Sequence, residues 1–417
     1  MKNWFTLLTI FACIGLNTSL NGQAQKNPKR FYIENPAKTS VRMTFKLLNN
    51  LVVLPVFVNN SDTLNFILDS GISNTIITDQ ALADKLNMVY LREIQMYGFG
   101  SDNALTAKHS TENNIRMSGI LGQHQDILVI PDPDIDFSRL LGIKIHGLLG
   151  YSLFRDFIID INYDNKTIVF HAPRTYNYKF KKKSVTIPIS LIETKPFITT
   201  KIIQEDSSIV ECRFLIDSGA SFALWLDLNS SRNIKIPERN EMLYLGTGFG
   251  GAVYGKVGRI LEFGEGPIKL KNVIASFSDS SNSFPGKFSD KRNGTIGADI
   301  LSRYNVIFDY RNNKITLRPN SKFKDPFLVN MSGMEICCPT PGENLYSISE
   351  ICHNSPAYNA GLRRDDQVIL INQQELSKLS LTEVHAILTR KQGRKMTVQY
   401  LRNGKINMTT LVMNRSI

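Results

Sequence analysis

Apolar positions along this chain come in short runs, not in long helical stripes. Leu51 to Val58, Phe66 to Leu68, Thr167 to Phe170, Phe214 to Ile216 and Lys314 to Leu317 are rich in β-branched and aromatic residues. That composition suits a pleated, half-buried surface. Asn-Asn, Asp-Asn and Gly-rich punctuation separates the runs, as tight turns require. Tyr163-Asp164-Asn165-Lys166 and Arg311-Asn312-Asn313-Lys314 read as hairpin turns, and short helical pieces are expected after Gly150 and Gly297. The pattern changes around Asn320-Ser321-Lys322. Beyond it, Ser355-Pro356 reads as an N-cap with proline at the first helical position, and Gly361 as the stop of a one-turn helix. Ser380 and Glu383 make a capping box ahead of the apolar stripe Leu381, Val384, Ile387 and Leu388. Strands from Gln367 to Ile371 and from Met396 to Leu401 flank that helix, and Arg402-Asn403-Gly404-Lys405 is a hairpin turn. At the other end, Trp4 to Leu16 is an apolar run behind Lys2, too short to span a bilayer. With Gly22 and Ala24 as small residues before a cleavage point, residues 1–24 read as a signal peptide.

The apolar runs repeat in order. "FILDSGISNTIIT" begins at Phe66 and "FLIDSGASFALWL" at Phe214, and each drives an apolar strand straight into Asp-Ser-Gly. Gly150 lies 81 positions past Asp69, and Gly297 lies 80 past Asp217. Tyr163 and Tyr310 follow at 94 and 93, and Lys166 and Lys314 both at 97. Gly98-Phe99-Gly100 and Gly248-Phe249-Gly250 begin 29 and 31 positions past their aspartates. A fixed-period match over several landmarks is the signature of duplication. It predicts two all-β lobes, 41–175 and 184–320, followed by a small domain over 325–417.

Composition narrows the function classes. A chain of 417 residues with 42% hydrophobic and 21% charged residues is a multi-domain globular protein. The formal charge of +12 is scattered; its densest cluster, Lys179, Lys181, Lys182 and Lys183, falls between the lobes and reads as a solvated linker. No nucleic-acid partner is expected. Past the signal peptide the cysteines are Cys212, Cys337, Cys338 and Cys352, too few for a disulfide framework. Cys352 has Cys337 and Cys338 as alternative partners. Their spacing is not that of a zinc site. His109, His124, His146, His171, His353 and His385 form no ligand motif and are expected mostly on the surface. No metal and no cofactor is predicted. Export follows from residues 1–24, to a periplasmic, cell-envelope or secreted location. Membrane association follows only if Cys13 is lipidated instead.

Two lobes with one aspartate each give those aspartates a task. A pseudo-twofold axis would bring Asp69 and Asp217 together, and two adjacent carboxylates hold one proton between them. The ionised member can act as base on a water while the protonated member donates to a carbonyl oxygen. Glycine after Asp-Ser permits the tight turn that aims the acid inward. On these residues the chain resembles the aspartic peptidases. Asp69-Ser70-Gly71 and Asp217-Ser218-Gly219, with Leu148-Leu149-Gly150 and Thr295-Ile296-Gly297, match the family's elements. Ile72 and Ala220 after the glycines look more like the retropepsin-like branch than like pepsin. The resemblance implies a duplicated acid-protease-like fold of two β-barrel lobes and a catalytic pair Asp69 and Asp217. It also implies cross-axis support from Ser70 and Ser218, turns made by Gly71 and Gly219, and flap or substrate contacts at Gly98, Phe99, Gly100, Gly248, Phe249 and Gly250. Neither Ile72 nor Ala220 carries a hydroxyl to lower the dyad's pKa values. An optimum at mildly acidic to near-neutral pH is therefore expected.

Ser355-Pro356-Ala357, Ala360-Gly361-Leu362 and Ile371-Asn372 resemble the signposts of a bacterial PDZ domain, with Asp365 standing where that family usually has glycine. The resemblance implies a small α+β domain that captures a peptide end by strand addition. Its groove would lie between Gly333-Met334-Glu335-Ile336 and the helix starting at Leu381. The reading is an exported aspartic endopeptidase acting on a peptide or protein substrate, aided by PDZ binding. The alternative is a catalytically silent peptide-binding protein that uses the cleft and the PDZ groove.

Overall fold

The computed structural model describes residues 29–96, 105–130, 137–178, 182–248, 251–278, 291–389, 392–414 and 417. Its first lobe is built on six strands: β1 (Leu51–Val58), β2 (Leu64–Leu68), β3 (Thr75–Ile77), β4 (Leu105–Met117), β5 (Ile120–Val129) and β6 (Gly147–Leu149). Strand β1 pairs antiparallel with β2, β2 parallel with β6, β6 antiparallel with β3, and β3 parallel with β5. Strand β4 pairs with β5 and returns to β1 through Phe57↔Arg116 and Val58↔Ile115, which closes a barrel. Closure leaves no free edge among the six. Helices α1 (Gln80–Lys85) and α2 (Phe137–Leu141) sit in the connections, and α3 (Tyr151–Asp156) follows Gly150.

After α3 come β7 (Ile158–Asn162) and β8 (Thr167–His171). The second lobe then repeats the plan: β9 (Lys195–Ile203), β10 (Ile209–Ile216), β11 (Leu224–Asp227), β12 (Gly251–Phe263), β13 (Leu270–Ser278), β14 (Gly294–Ile296), helix α4 (Ala298–Leu301), β15 (Tyr304–Asp309) and β16 (Lys314–Pro319). Every pairing has its counterpart, down to parallel β10–β14 and β11–β13 and closure of β12 onto β9 at Ile202↔Phe263. The fold is mainly β and duplicated, as the runs and repeats predict. Tyr163 and Tyr310 are both buried, each at the end of its strand. The left-handed residue closing each following turn is Lys166 (φ 50°) and Asn313 (φ 49°). The pairing of Lys166 with Lys314 is therefore one position out, because backbone conformation and not side-chain type is what repeats.

The lobes are not separate bodies. Strands β7 and β15 pair across the pseudo-twofold, Ile159↔Phe308 to Ile161↔Val306, at the centre of a six-stranded sheet in the order 185–188, β16, β15, β7, β8, 40–44. A single buried cluster runs from Val52 and Leu54 in one lobe through Phe154 and Phe308 to Phe214 and Phe277 in the other. Residues ahead of 41 also take part: Phe31–Ile33 pairs with β5.

The C-terminal unit has its own core. Its sheet runs in the order β17 (Met334–Cys337), β18 (Tyr346–Ile351), β19 (Gln367–Ile371), β20 (Lys395–Arg402), β21 (Lys405–Val412), with helices α5 (Pro356–Asn359) and α6 (Leu381–Leu388). Ser380 and Glu383 form the expected capping box, and Leu381, Val384, Ile387 and Leu388 are buried. Asp365 takes φ 68°, a left-handed position that explains a family preference for glycine there. All four cysteines of the described residues are free thiols, so neither alternative partner of Cys352 is bonded to it. Gly333 O accepts from Cys352 N at 2.8 Å. Cys337 lies four residues further along the strand, roughly 14 Å at about 3.4 Å per residue, beyond disulfide reach.

Candidate active site

Strands β2 and β10 deliver the two aspartates. Phe66, Ile67 and Leu68 in one lobe and Phe214, Leu215 and Ile216 in the other are buried, so each strand runs through a core to its last residue. The parallel neighbour then holds the acid's own backbone: Asp69 N donates to Leu149 O, and Asp217 N to Ile296 O, both at 2.9 Å. Past the acid the chain turns back, and Gly71 N donates to Asp69 Oδ1 at 2.7 Å while Gly219 N donates to Asp217 Oδ1 at 2.9 Å.

The hydrophobic-hydrophobic-glycine elements buttress these turns. A Cβ on Gly150 would stand 2.6 Å from Asn74 O, and one on Gly297 2.1 Å from Phe222 O. Directly after them, Tyr151 N donates to Ile72 O at 3.2 Å and Ala298 N to Ala220 O at 2.6 Å. The lobes also reach across to each other. Ser70 Oγ donates to Ile216 O and accepts from Ser218 N, at 2.8 and 3.0 Å. Ser218 Oγ donates to Leu68 O and accepts from Ser70 N at the same two distances. These four bonds are buried, so each is worth more than an exposed one.

The two aspartate side chains face each other across the axis, close enough for their carboxyl groups to interact. A Cβ on Gly71 would lie 2.7 Å from Asp217 Cγ, and one on Gly219 only 2.3 Å from Asp69 Cγ. Asp69 is buried and Asp217 partly so. Burial, then the charge of Asp217, pushes the Asp69 carboxyl well above its usual range, against the Gly71 amide. Burial also raises Asp217, opposed by the Gly219 amide, Arg292, the hydrogen bond with Asp69, and Lys195. The directions fit one proton held between two groups. Beneath them Tyr310 stacks on Phe154 at 5.1 Å, its hydroxyl held neutral by burial and by the two carboxyls.

The chain carries an aspartyl protease domain. Residues 54–153 match the aspartyl protease family model, and residues 331–401 match the PDZ domain model. No curated protein matches the chain. The first match takes in Asp69-Ser70-Gly71 and Gly150 and ends before the second lobe, which repeats the first lobe's strand pairings.

Of the other residues singled out in the sequence, Gly98, Phe99, Gly100, Phe249 and Gly250 lie outside the described residues. Gly248 ends a strand whose last pair is Gly248↔Gly251. Gly333, Met334, Glu335 and Ile336 do adjoin the helix starting at Leu381, but Met334, Ile336 and Leu381 are buried. The sequence reading missed Ser73 and Thr194. Thr194 Oγ1 donates to Ser73 Oγ at 2.8 Å, and Ser73 Oγ donates to Glu193 O at 3.1 Å, tying the first Asp-Ser-Gly loop to a turn of the second lobe. Glu193 and Thr194 have φ 48° and 71°, matching Asn49 and Asn50 at 47° and 67° in the equivalent first-lobe turn. Asn-Asn announces a left-handed turn, whereas Glu-Thr does not.

Proposed function

We propose that this protein is an endopeptidase in which Asp69 and Asp217 are the catalytic pair. The observation that carries the reading is the contact of the two carboxyl groups across the pseudo-twofold, under a shared upward pressure on their pKa values. With one proton between them, the ionised carboxylate takes a proton from a water held on the axis. The protonated one donates to the carbonyl oxygen of the scissile amide. The water oxygen attacks the carbonyl carbon to give a diol. The aspartate that took the water's proton passes it to the leaving nitrogen, and the other takes a proton back from a diol hydroxyl. The C–N bond breaks to release an amine and a carboxylic acid. Ser70, Ser218, Gly71 and Gly219 hold the two acids in register, and the PDZ domain adds peptide binding. Residues 1–24 favour an exported protein.

The test is cleavage of a diverse peptide mixture by the wild type, Asp69→Asn and Asp217→Asn, with circular dichroism as the control for fold. Each single variant is expected to lose cleavage by at least about 10³-fold, because one proton shared by two groups needs both. Wild-type rates in either variant would place the chemistry elsewhere.

A further inference from the structure

The PDZ groove is not open. Strand β17 turns one backbone edge to β18: Gly333 O accepts from Cys352 N at 2.8 Å and Glu335 O from Ser349 Oγ at 3.3 Å. The groups of residues 334, 336 and 338 therefore face the other way, toward α6, where an added strand would bond. Four of these six backbone groups are already engaged. Met334 O accepts from Asn330 Nδ2 at 2.8 Å, and Met334 N donates to Ser332 Oγ at 3.2 Å. Ile336 O accepts from His385 Nε2 at 2.9 Å. Cys338 N donates to Arg139 O, in the first protease lobe, at 2.9 Å.

The same lobe seals the mouth of the groove. Gly342 N donates to Gly142 O at 3.0 Å, and Arg139 Nη2 lies 3.8 Å from Cys337 Sγ. Gly142, at φ +75°, packs so closely that a Cβ there would sit 3.0 Å from Leu381 Cβ. His385 Nδ1 lies 3.2 Å from the Asn49 amide oxygen position. A neutral ring donating from Nε2 accepts at Nδ1, so the Asn49 amide presents its NH₂ there. His385 is thus half-buried between the PDZ strand and the barrel.

We propose that the PDZ groove has an intramolecular occupant, the Arg139–Gly142 segment and the Asn49 turn of the first lobe, and that peptide addition and this docking exclude each other. A peptide end must displace Arg139 O from Cys338 N and His385 from Ile336 O. Its apparent affinity is lowered by the small fraction of molecules that are undocked. The docked segment is connected to the candidate active site. Leu141 and Ile145 share a core cluster with Leu148, and the next residue, Leu149, holds Asp69 N. Asn50 Oδ1, next to Asn49, accepts from Ser302 Oγ at 3.4 Å, at the end of α4. A peptide in the groove would therefore release two supports that lead to the dyad loops.

The test rests on the proposed function only in using the full chain carrying Asp69→Asn to spare the peptides. Mass spectrometry of the pool checks their integrity, so a wrong dyad assignment shows as cleavage and a failure of the docking proposal shows in binding. The probe is a fluorescein-labelled pool of decapeptides, degenerate in sequence, with free apolar C-terminal residues. Gly142→Val adds a branched side chain at a left-handed position against Leu381, and His385→Ala frees Ile336 O. Each is expected to bind the pool at least about tenfold more tightly than the parent. Hydrogen exchange on the parent needs no further variant. Saturating pool should speed exchange at Cys338 and Gly342 while β19 and β20 stay protected. Equal affinity in the three proteins, no binding by any of them, or unchanged exchange at Cys338 and Gly342 in the peptide-bound parent would overturn the proposal.

Discussion

Only glycine fits beside the dyad. The Cβ of an alanine at position 219 would stand 2.3 Å from Asp69 Cγ, and at position 71 it would stand 2.7 Å from Asp217 Cγ. Neither carboxyl can move far without breaking the amide bond from its own loop glycine. Gly219→Ala should therefore cost about 1–3 kcal/mol of stability as an overpacked site. It should lower kcat/KM by roughly 100-fold through misplacement of about 1 Å, with the larger effect on kcat. Near-normal kinetics would separate this turn from the chemistry. The acids also set the pH response. Burial raises both, and Ile72 and Ala220 add no hydroxyl at the dyad loops. On the proposed mechanism activity needs the singly protonated pair, so both limbs of the kcat/KM profile should move up, to a maximum at mildly acidic to near-neutral pH. Stability carries the same sign. A raised carboxyl contributes fully below the ordinary carboxylate value, and that contribution is lost as pH rises through the dyad's folded value. Asp69→Asn should thus unfold at a higher temperature than the wild type at neutral pH and lose that advantage in acid. A rate maximum at or below about pH 3, under the ordinary carboxylate range, would show that burial does not govern the pair.

Single elements join across the axis through very few groups, which makes those groups disproportionately important. Ser70 Oγ makes two of the four buried bonds between the Asp-Ser-Gly loops. Ser70→Ala leaves Ile216 O and Ser218 N without partners in a buried site, a cost of about 1–3 kcal/mol. It should show as a lower urea midpoint with an unchanged slope. Ser218→Ala should match it, and the double variant should cost less than the sum, because the bonds form one network. An additive double variant would mean that the two loops are held independently. The same scale shows what the sequence could and could not reveal. The β runs, the turns after Asn162 and Asp309, the helices after Gly150 and Gly297 and the capping box at Ser380 are local, decided by neighbours a few positions away. Barrel closure and the β7–β15 pairing join residues far apart in the chain, and Ile159 or Phe308 alone reads only as a strand residue. Helices α1 and α2 are too short to show a period. Arg139, Asn49, Thr194 and His385 act as single side chains or carbonyls whose meaning lies in what the fold brings against them.

At the scale of the molecule, the protease lobes and the PDZ domain have separate cores, while the ordered stretch before residue 331 belongs with the lobes. Arg303 lies 3.5 Å over the Phe327 ring and donates to Pro326 O, and Val329 packs with Leu243 and Val257. A truncation meant to remove only the PDZ domain should therefore end after residue 330, not at 324, where it would strip Phe327 from the second lobe. Both Asp-Ser-Gly loops and the bonds between them lie wholly upstream of that point. The shortened chain is expected to fold with a somewhat lower melting temperature, since it loses the bonds at Arg139 and Gly142 and uncovers α2. It should cleave short peptides within about threefold of the full chain. Protein substrates should suffer more, because a tethered binding site raises local concentration. The loss should nevertheless fall short of the roughly 100-fold of an open tether, since the groove is filled by the chain itself and only a displacing end can use it. Parallel kcat/KM measurements on one short peptide and one protein substrate decide the matter. If a folded truncation no longer cuts the short peptide, docking of the PDZ domain on Asn49 and Gly142 is part of what holds the dyad loops in working geometry.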